Sequence, residues 1–167
     1  MYKINDYYYL MSAEGGTGYQ HMEVIQRSKT PWRPYESSPI NPVISHKDAP
    51  SNPFQAIGYA DLVQLKDSGW WLVCLGIRPK GGNYYNLGRK TFLTPVTWNS
   101  DRWHKGGNNG IVDSVYIAPN LPQKVWEKDS VRDNFDRTTL RLPWNFIRNP
   151  HAEDWSLSAK AGFHRLI

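Results

Sequence analysis

The strongest constraint on how this chain can fold is a rhythm of short aromatic and β-branched runs, each cut off by Gly, Pro, Asn, Asp or Ser. "YYYLMSA", "HMEVIQRS", "GYADLVQL", "GWWLVCLGIRP", "KTFLTPVTW" and "SVYIAP" all have this form. Such side chains fill the half-buried pleat of a strand, and the bounding residues supply turns. Asn5-Asp6 precedes the first full run, and Lys66-Asp67-Ser68-Gly69 separates two others, where Gly69 readily takes a positive φ. The one charged stretch of useful length, "PQKVWEKDSVRDNFD", follows Pro122 and lacks a sustained helical apolar period, so no helix is expected. The class is all-β, and the turn spacing leaves a sandwich, a barrel or a propeller.

One segment breaks the rhythm. In "TPWRPYESSPINPVISHKDAPSNPFQ" the prolines fix the backbone and deny ladder donors, which predicts a long ordered loop and not a strand. A loop of that length in a compact domain is usually functional or disordered. Composition shifts again near residue 119, where "APNLPQKVWEKDS" reads as a connector. The expected organisation is one domain over 1–118 and a linker with the start of a second over 119–167.

Aromatics make up 14% of the 167 residues, with eight Trp and ten Tyr, a surplus suited to core packing or to stacking on sugar rings or bases. Net charge is +5, but Lys and Arg are scattered singly and no RNA-binding signature is present, which argues against nucleic acid as partner. The single cysteine, Cys74 in "WWLVCLGI", excludes an internal disulfide and a cysteine metal cluster, and reads as a small buried hydrophobe. No apolar run has the length of a membrane span, so no membrane partner is expected. The first residues, "MYKINDYYYL", carry no export signal, and the compartment is left open.

The order of motifs carries a resemblance. "YYYLMSAEGGTGYQH", "QRSKTPWRPYE", "GYADLVQLKDSGWWLVCLGIRP" and "LGRKTFLTPVTW" together resemble the later blades of glycoside hydrolase family 43, the β-xylosidase and α-L-arabinofuranosidase group. The tail "TTLRLPWNFIRNPHAEDWSLSAKAGFHRL" is similar to the opening of the β-sandwich that follows the propeller in many of those enzymes. The resemblance implies a partial five-bladed β-propeller (its last blades) followed by the beginning of a β-sandwich. It also implies hydrolysis with inversion of xylan-derived or arabinose-containing oligosaccharides, in which one carboxylic acid protonates the leaving oxygen and a second carboxylate activates water.

By the match to "AEGGT", the resemblance implies that Glu14 is the general acid, on a strand ending at the sugar pocket, with Gly15 and Gly16 turning the backbone there. An acid that stays protonated near neutral pH needs burial or a nearby carboxylate. Without the resemblance, Glu14 reads as a surface glutamate. Arg89, in "NLGRKTFL", matches the family's sugar-binding arginine, whose fork can hold vicinal hydroxyls or a carboxylate; its other reading is a surface cation. Thr17 and His21 share the Glu14 motif and either line the pocket or make structural hydrogen bonds. Trp32 and Tyr35 follow the family's "PY" pattern and are expected to pin the proline-rich segment. Trp70 and Trp71 face opposite ways on one strand, so at most one could face a ligand, and blade packing is the expectation for both. His46, His104 and His151 read as loop residues without metal-ligand spacing.

Two departures from the family pattern bear on the site. Tyr59 stands where the family commonly has the histidine of "GHADL", so an imidazole near the propeller axis is replaced by a phenol. Lys90 stands in place of the glutamate of "GRET", reversing a charge beside Arg89. The sequence requires no cofactor and names no metal ligands; a structural calcium ion at the family's axis is neither demanded nor excluded. None of Asp6, Asp48, Asp61 or Asp67 falls in a motif matching the family's base or its acid-tuning aspartate. The reading is therefore of a fragment that carries the acid and lacks the base, with unpaired blade edges that predict self-association. The alternative reading is a non-catalytic or vestigial carbohydrate-binding β protein.

Overall fold

The computed structural model describes residues 1–66, 69–82 and 84–166. It divides into two compact units, 1–120 and 121–167. Among the described residues the only helical element is one 3₁₀ turn, Ala152–Asp154, so the all-β class holds.

The first unit holds two antiparallel meanders. In one, β1 (Tyr2–Ile4), β2 (Tyr7–Glu14), β3 (Met22–Ser28) and β4 (Glu36–Ser37) pair in order, and β5 (Ile44–Ser45) also pairs with β3. In the other, β6 (Gln55–Gln64), β7 (Trp70–Ile77), β8 (Arg89–Trp98) and β9 (His104–Gly106) pair in order. Short consecutive meanders of this kind are the blades of a propeller. Ile4 pairs with Tyr7 across the Asn5-Asp6 turn, and Asn5 sits at φ 52°, a conformation Asn tolerates better than most residues. Of the second expected turn, Asp67 and Ser68 lie outside the described residues; the Leu65 amide donates to the Gly69 carbonyl at 2.8 Å.

Three expectations need correction. "SVYIAP" forms no strand: residues 114–119 are irregular and pair with no strand of the described residues. The proline-rich segment is not wholly loop, since β4 and β5 each place two residues on β3. His104 is not a loop residue but lies in β9 opposite Trp98 and is fully buried, its ring 4.7 Å from the Trp98 ring.

β3 and β6 lie side by side and run in the same sense. The Glu23 carboxylate accepts the Ala60 amide at 2.9 Å, and two residues earlier in each segment His21, just before β3, packs against Gly58. The core between the sheets is built from Ile25, Val43, Ile44, Ile57 and Leu72, each completely buried. Each such side chain contributes roughly 1.5–3 kcal/mol by leaving water. Cys74 is buried in this core as expected, and burial pushes its thiol up to about 12. Trp71 is buried, and Trp70 packs edge-on against Trp98 at 5.7 Å, so both serve the core.

The second unit holds one small hairpin, β10 (Trp155–Ser156) with β11 (Arg165–Leu166). His164 stands amid the rings of Phe135, Trp144, Phe146 and Trp155, with centroids 5.6 to 6.2 Å away.

Candidate active site

Strand ends bring the sequence-selected residues to one end of the first unit. Glu14 closes β2 and pairs with Met22, the first residue of β3. Gln55 opens β6 and pairs with Ile77, which in turn pairs with Arg89 at the start of β8. Because β3 and β6 run in the same sense, the starts of both strands lie at one end. Glu14 and Arg89 therefore stand at corresponding ends of the two sheets.

The turn after Glu14 shows why the sequence places glycine there. Gly15 adopts φ 75°, and a β-carbon on it would lie 1.9 Å from the Gln20 carbonyl oxygen. No other residue fits that turn without moving the backbone. Glu14, Thr17 and Arg89 are all exposed, so nothing among the described residues buries the Glu14 carboxyl.

His21 is buried, with Nδ1 donating to the Gly16 carbonyl, which fixes the glycine turn to the start of β3. Its Nε2 has no hydrogen-bond partner among the described residues. A β-carbon at position 58 would fall 2.5 Å from the His21 Cδ2, which makes Gly58 the space that the imidazole occupies.

Next to this pair lies a polar cleft of about 290 Å³, lined by Ser12, Ala13, Glu23, Tyr59 and Asp61 among others. Tyr59 is 65% exposed and sits at φ 51°, where β6 shifts register between Gly58 and Asp61. A tyrosine in the left-handed region is strained by the order of 1–3 kcal/mol, so the bulge must be held by its surroundings. Glu23 holds it. The carboxyl is 2% exposed and accepts the Ala60 amide, and burial raises it from 4.5 to about 7 against the lowering effect of the Ala60 and Tyr59 amides. Asp61 accepts the Tyr2 hydroxyl at 2.5 Å, and burial with that bond pushes Tyr2 up to about 12.

Glu23 is the residue that sequence reasoning passed over. Its signal was present: in "HMEVI", His21, Glu23 and Ile25 fall on one strand face, so a carboxylate shares the face of a core isoleucine. His46 likewise matters more than its loop position suggests. Its Nδ1 donates to the Phe54 carbonyl at 2.7 Å and its Nε2 accepts the Val112 amide at 2.8 Å. Trp32 does not pin the proline-rich segment: its indole is 78% exposed, and the pinning is done by the Tyr35 hydroxyl, which donates to the Pro31 carbonyl at 3.0 Å. Lys90 turns to its own loop, donating to the Leu87 carbonyl at 2.8 Å.

Comparison with known proteins converges on one family. Residues 1–104 match the model of glycosyl hydrolases family 43, and residues 132–167 match the β-xylosidase C-terminal concanavalin A-like domain. The chain is 64% identical to the non-reducing end α-L-arabinofuranosidase BoGH43B of Bacteroides ovatus, over 99% of this chain and 31% of that protein. It is 33% identical to a β-xylosidase of Bacillus subtilis, over 98% of this chain and 32% of that one. Among solved structures, the Bacteroides ovatus xyloglucan-locus GH43B protein superposes with a TM-score of 0.90 over 99% of this chain and 33% of that chain. The xylan β-1,4-xylosidase of Bacillus halodurans superposes with a TM-score of 0.89 at 36% identity, over 99% of this chain and 32% of that chain. The chain thus spans about a third of the length of the relatives it matches. Two consecutive blades, the glycine turn after Glu14 and the family match over most of the chain make it a member of glycosyl hydrolases family 43.

Proposed function

We propose that this chain supplies the acid-bearing blades of an inverting exo-glycosidase that removes α-L-arabinofuranosyl or β-xylosyl units from plant oligosaccharides. The observation that carries the reading is the shared end of the two sheets, where Glu14 closes one strand and Arg89 opens another. Glu14 would protonate the departing glycosidic oxygen, and the Arg89 fork would hold sugar hydroxyls beside it. Neither carboxylate of the cleft is offered as the water-activating base: Asp61 is engaged by Tyr2 and Glu23 by the β6 backbone. Arabinofuranosides are the first substrates to test, because the 64%-identical relative bears that activity in its name.

The test uses the chain itself and a hybrid in which it replaces the matching third of the Bacteroides ovatus protein. In an active hybrid, Glu14→Gln is expected to lower turnover of an unactivated arabino-oligosaccharide about 10²–10⁴-fold, the usual contribution of a positioned acid. Turnover of a dinitrophenyl arabinofuranoside, whose leaving group needs no proton, should fall far less. Equal and minor losses on both substrates would overturn the assignment of Glu14.

A further inference from the structure

The opposite end of β2 carries a second set of chemistry. β2 opens on Tyr7 and closes on Glu14, so the two ends lie about 23 Å apart at roughly 3.3 Å per residue. At the Tyr7 end a groove of about 430 Å³ is lined by Tyr7, Lys29, Arg33 and Tyr35 with neighbouring residues of the same segment. Its acid is neutralised: Arg27 binds Glu36 at 2.5 Å, donates to the Asp101 carbonyl at 2.5 Å, and stacks on Tyr7 and Trp103 at 4.3 and 4.0 Å. Lys29 and Arg33 are exposed and have no ion pair among the described residues. Lys29 is steadied over the Tyr7 ring, its Nζ 4.0 Å from the centroid.

Trp32 lies in the chain between two groove-lining residues, Thr30 and Arg33, and is 78% exposed. Its backbone is tied down. Ser28 and Thr30 both donate their hydroxyls to the Trp32 carbonyl, at 3.2 and 2.8 Å, and Tyr35 ties down Pro31. A backbone already tied on a proline-stiffened turn has little freedom left to lose when a ligand covers the indole it carries. The flat apolar face of the indole suits the ring of a pyranose, and the groove's Lys29 and Arg33, which have no ion pair among the described residues, suit a carboxylate.

We infer that this groove, with Trp32 at its rim, is a secondary binding site for a carboxylate-bearing polysaccharide, such as a xylan carrying uronic acid branches. The inference rests on reading the chain as part of an enzyme that removes sugar units from plant saccharides. A pocket that accepts one terminal sugar gives little hold on a polymer, and a remote groove raises the effective concentration of chain ends at the pocket. Aromatic and basic residues also bind single-stranded nucleic acid, but that mode needs a track of phosphate contacts. Here the groove offers two cations without an ion pair among the described residues, and the remaining basic residues are dispersed.

The experiment is affinity electrophoresis and titration calorimetry of the full chain with glucuronoxylan, carboxyl-reduced glucuronoxylan and oligothymidylate. Glucuronoxylan should retard the chain, the reduced polymer should bind at least about tenfold more weakly, and oligothymidylate should not compete. Lys29→Gln with Arg33→Gln keeps the side-chain stems and should lose about tenfold in affinity for glucuronoxylan; Trp32→Ala should lose as much, on both polymers. All three residues are exposed, and unchanged melting temperatures check the fold of the variants. Glu14→Gln should bind as the parent does, so a failed acid assignment and a failed groove give different results. Absence of binding, equal binding of the reduced polymer, unaltered binding by the variants, or tighter binding of oligothymidylate would each overturn the inference.

Discussion

Two buried side chains with opposite titration set how the first unit responds to pH. Glu23 is raised by burial from 4.5 to about 7, and His104, fully buried against Trp98, is lowered by burial from 6.5 to about 4. A raised carboxyl stabilises the fold relative to its charged form below pH 4.5, and that contribution is lost as pH climbs through 7. A lowered imidazole works in reverse: its contribution is full above pH 6.5 and is lost as pH falls toward 4. His46, also lowered by burial, acts in the same direction as His104. Between pH 4.5 and 6.5 the slopes of Glu23 and His104 oppose each other, each about 1.4 kcal/mol per pH unit. Urea unfolding of the parent should therefore show a smaller rise in stability from pH 4.5 to 6.5 than a chain without Glu23. Glu23→Gln removes one slope, and its stability should rise by about 2–3 kcal/mol between the same two pH values. A flat profile in the variant would show that burial does not lower His104 as described.

At the scale of elements, the loop between β5 and β6 is organised by one histidine. His46 joins the Phe54 carbonyl and the Val112 amide, two segments far apart in sequence, through its two ring nitrogens. His46→Ala would leave both buried groups unpaired and open a void between the Phe54 and Val112 backbones, at a cost of about 2–4 kcal/mol. Thermal melting checks this, and a loss below about 1 kcal/mol would mean that the loop is held elsewhere. The long strands were legible because their local composition and their final environment agree: β2, β3, β7 and β8 follow the runs of the sequence. β4 and β5 were not, since two-residue strands rich in serine take their conformation from pairing with β3 and not from propensity. The early start of β6 at Gln55 was hidden by its two register shifts, with Ala56 and Tyr59 at positive φ. For the candidate site, the glycine turn after Glu14 was readable as a motif. The placement of His21 in the space left by Gly58 was not, because nothing local ties two residues 37 positions apart.

On the scale of the whole chain, the two units differ in how they are built. The first has a continuous core across two sheets, while the second has one short hairpin and an aromatic cluster around His164. Residues 121–130, at the start of the second unit, are exposed and without regular structure. Limited proteolysis should cut there first, at Lys124 or Lys128 with trypsin, and leave a resistant fragment close to residues 1–120. Initial cleavage inside β2, β3 or β7 would contradict this division. The seam of the first unit has an optical consequence. Tyr9 on β2 sends its hydroxyl to the Arg102 carbonyl at 2.6 Å, and its ring lies 5.5 Å from Trp98 and 6.2 Å from Trp103, both contributed by the second sheet or its adjoining loop. Light absorbed by that phenol passes to the indoles as long as the sheets stay together, so the seam carries its own chromophore, and the parting of two blades is written in the emission spectrum without any added label.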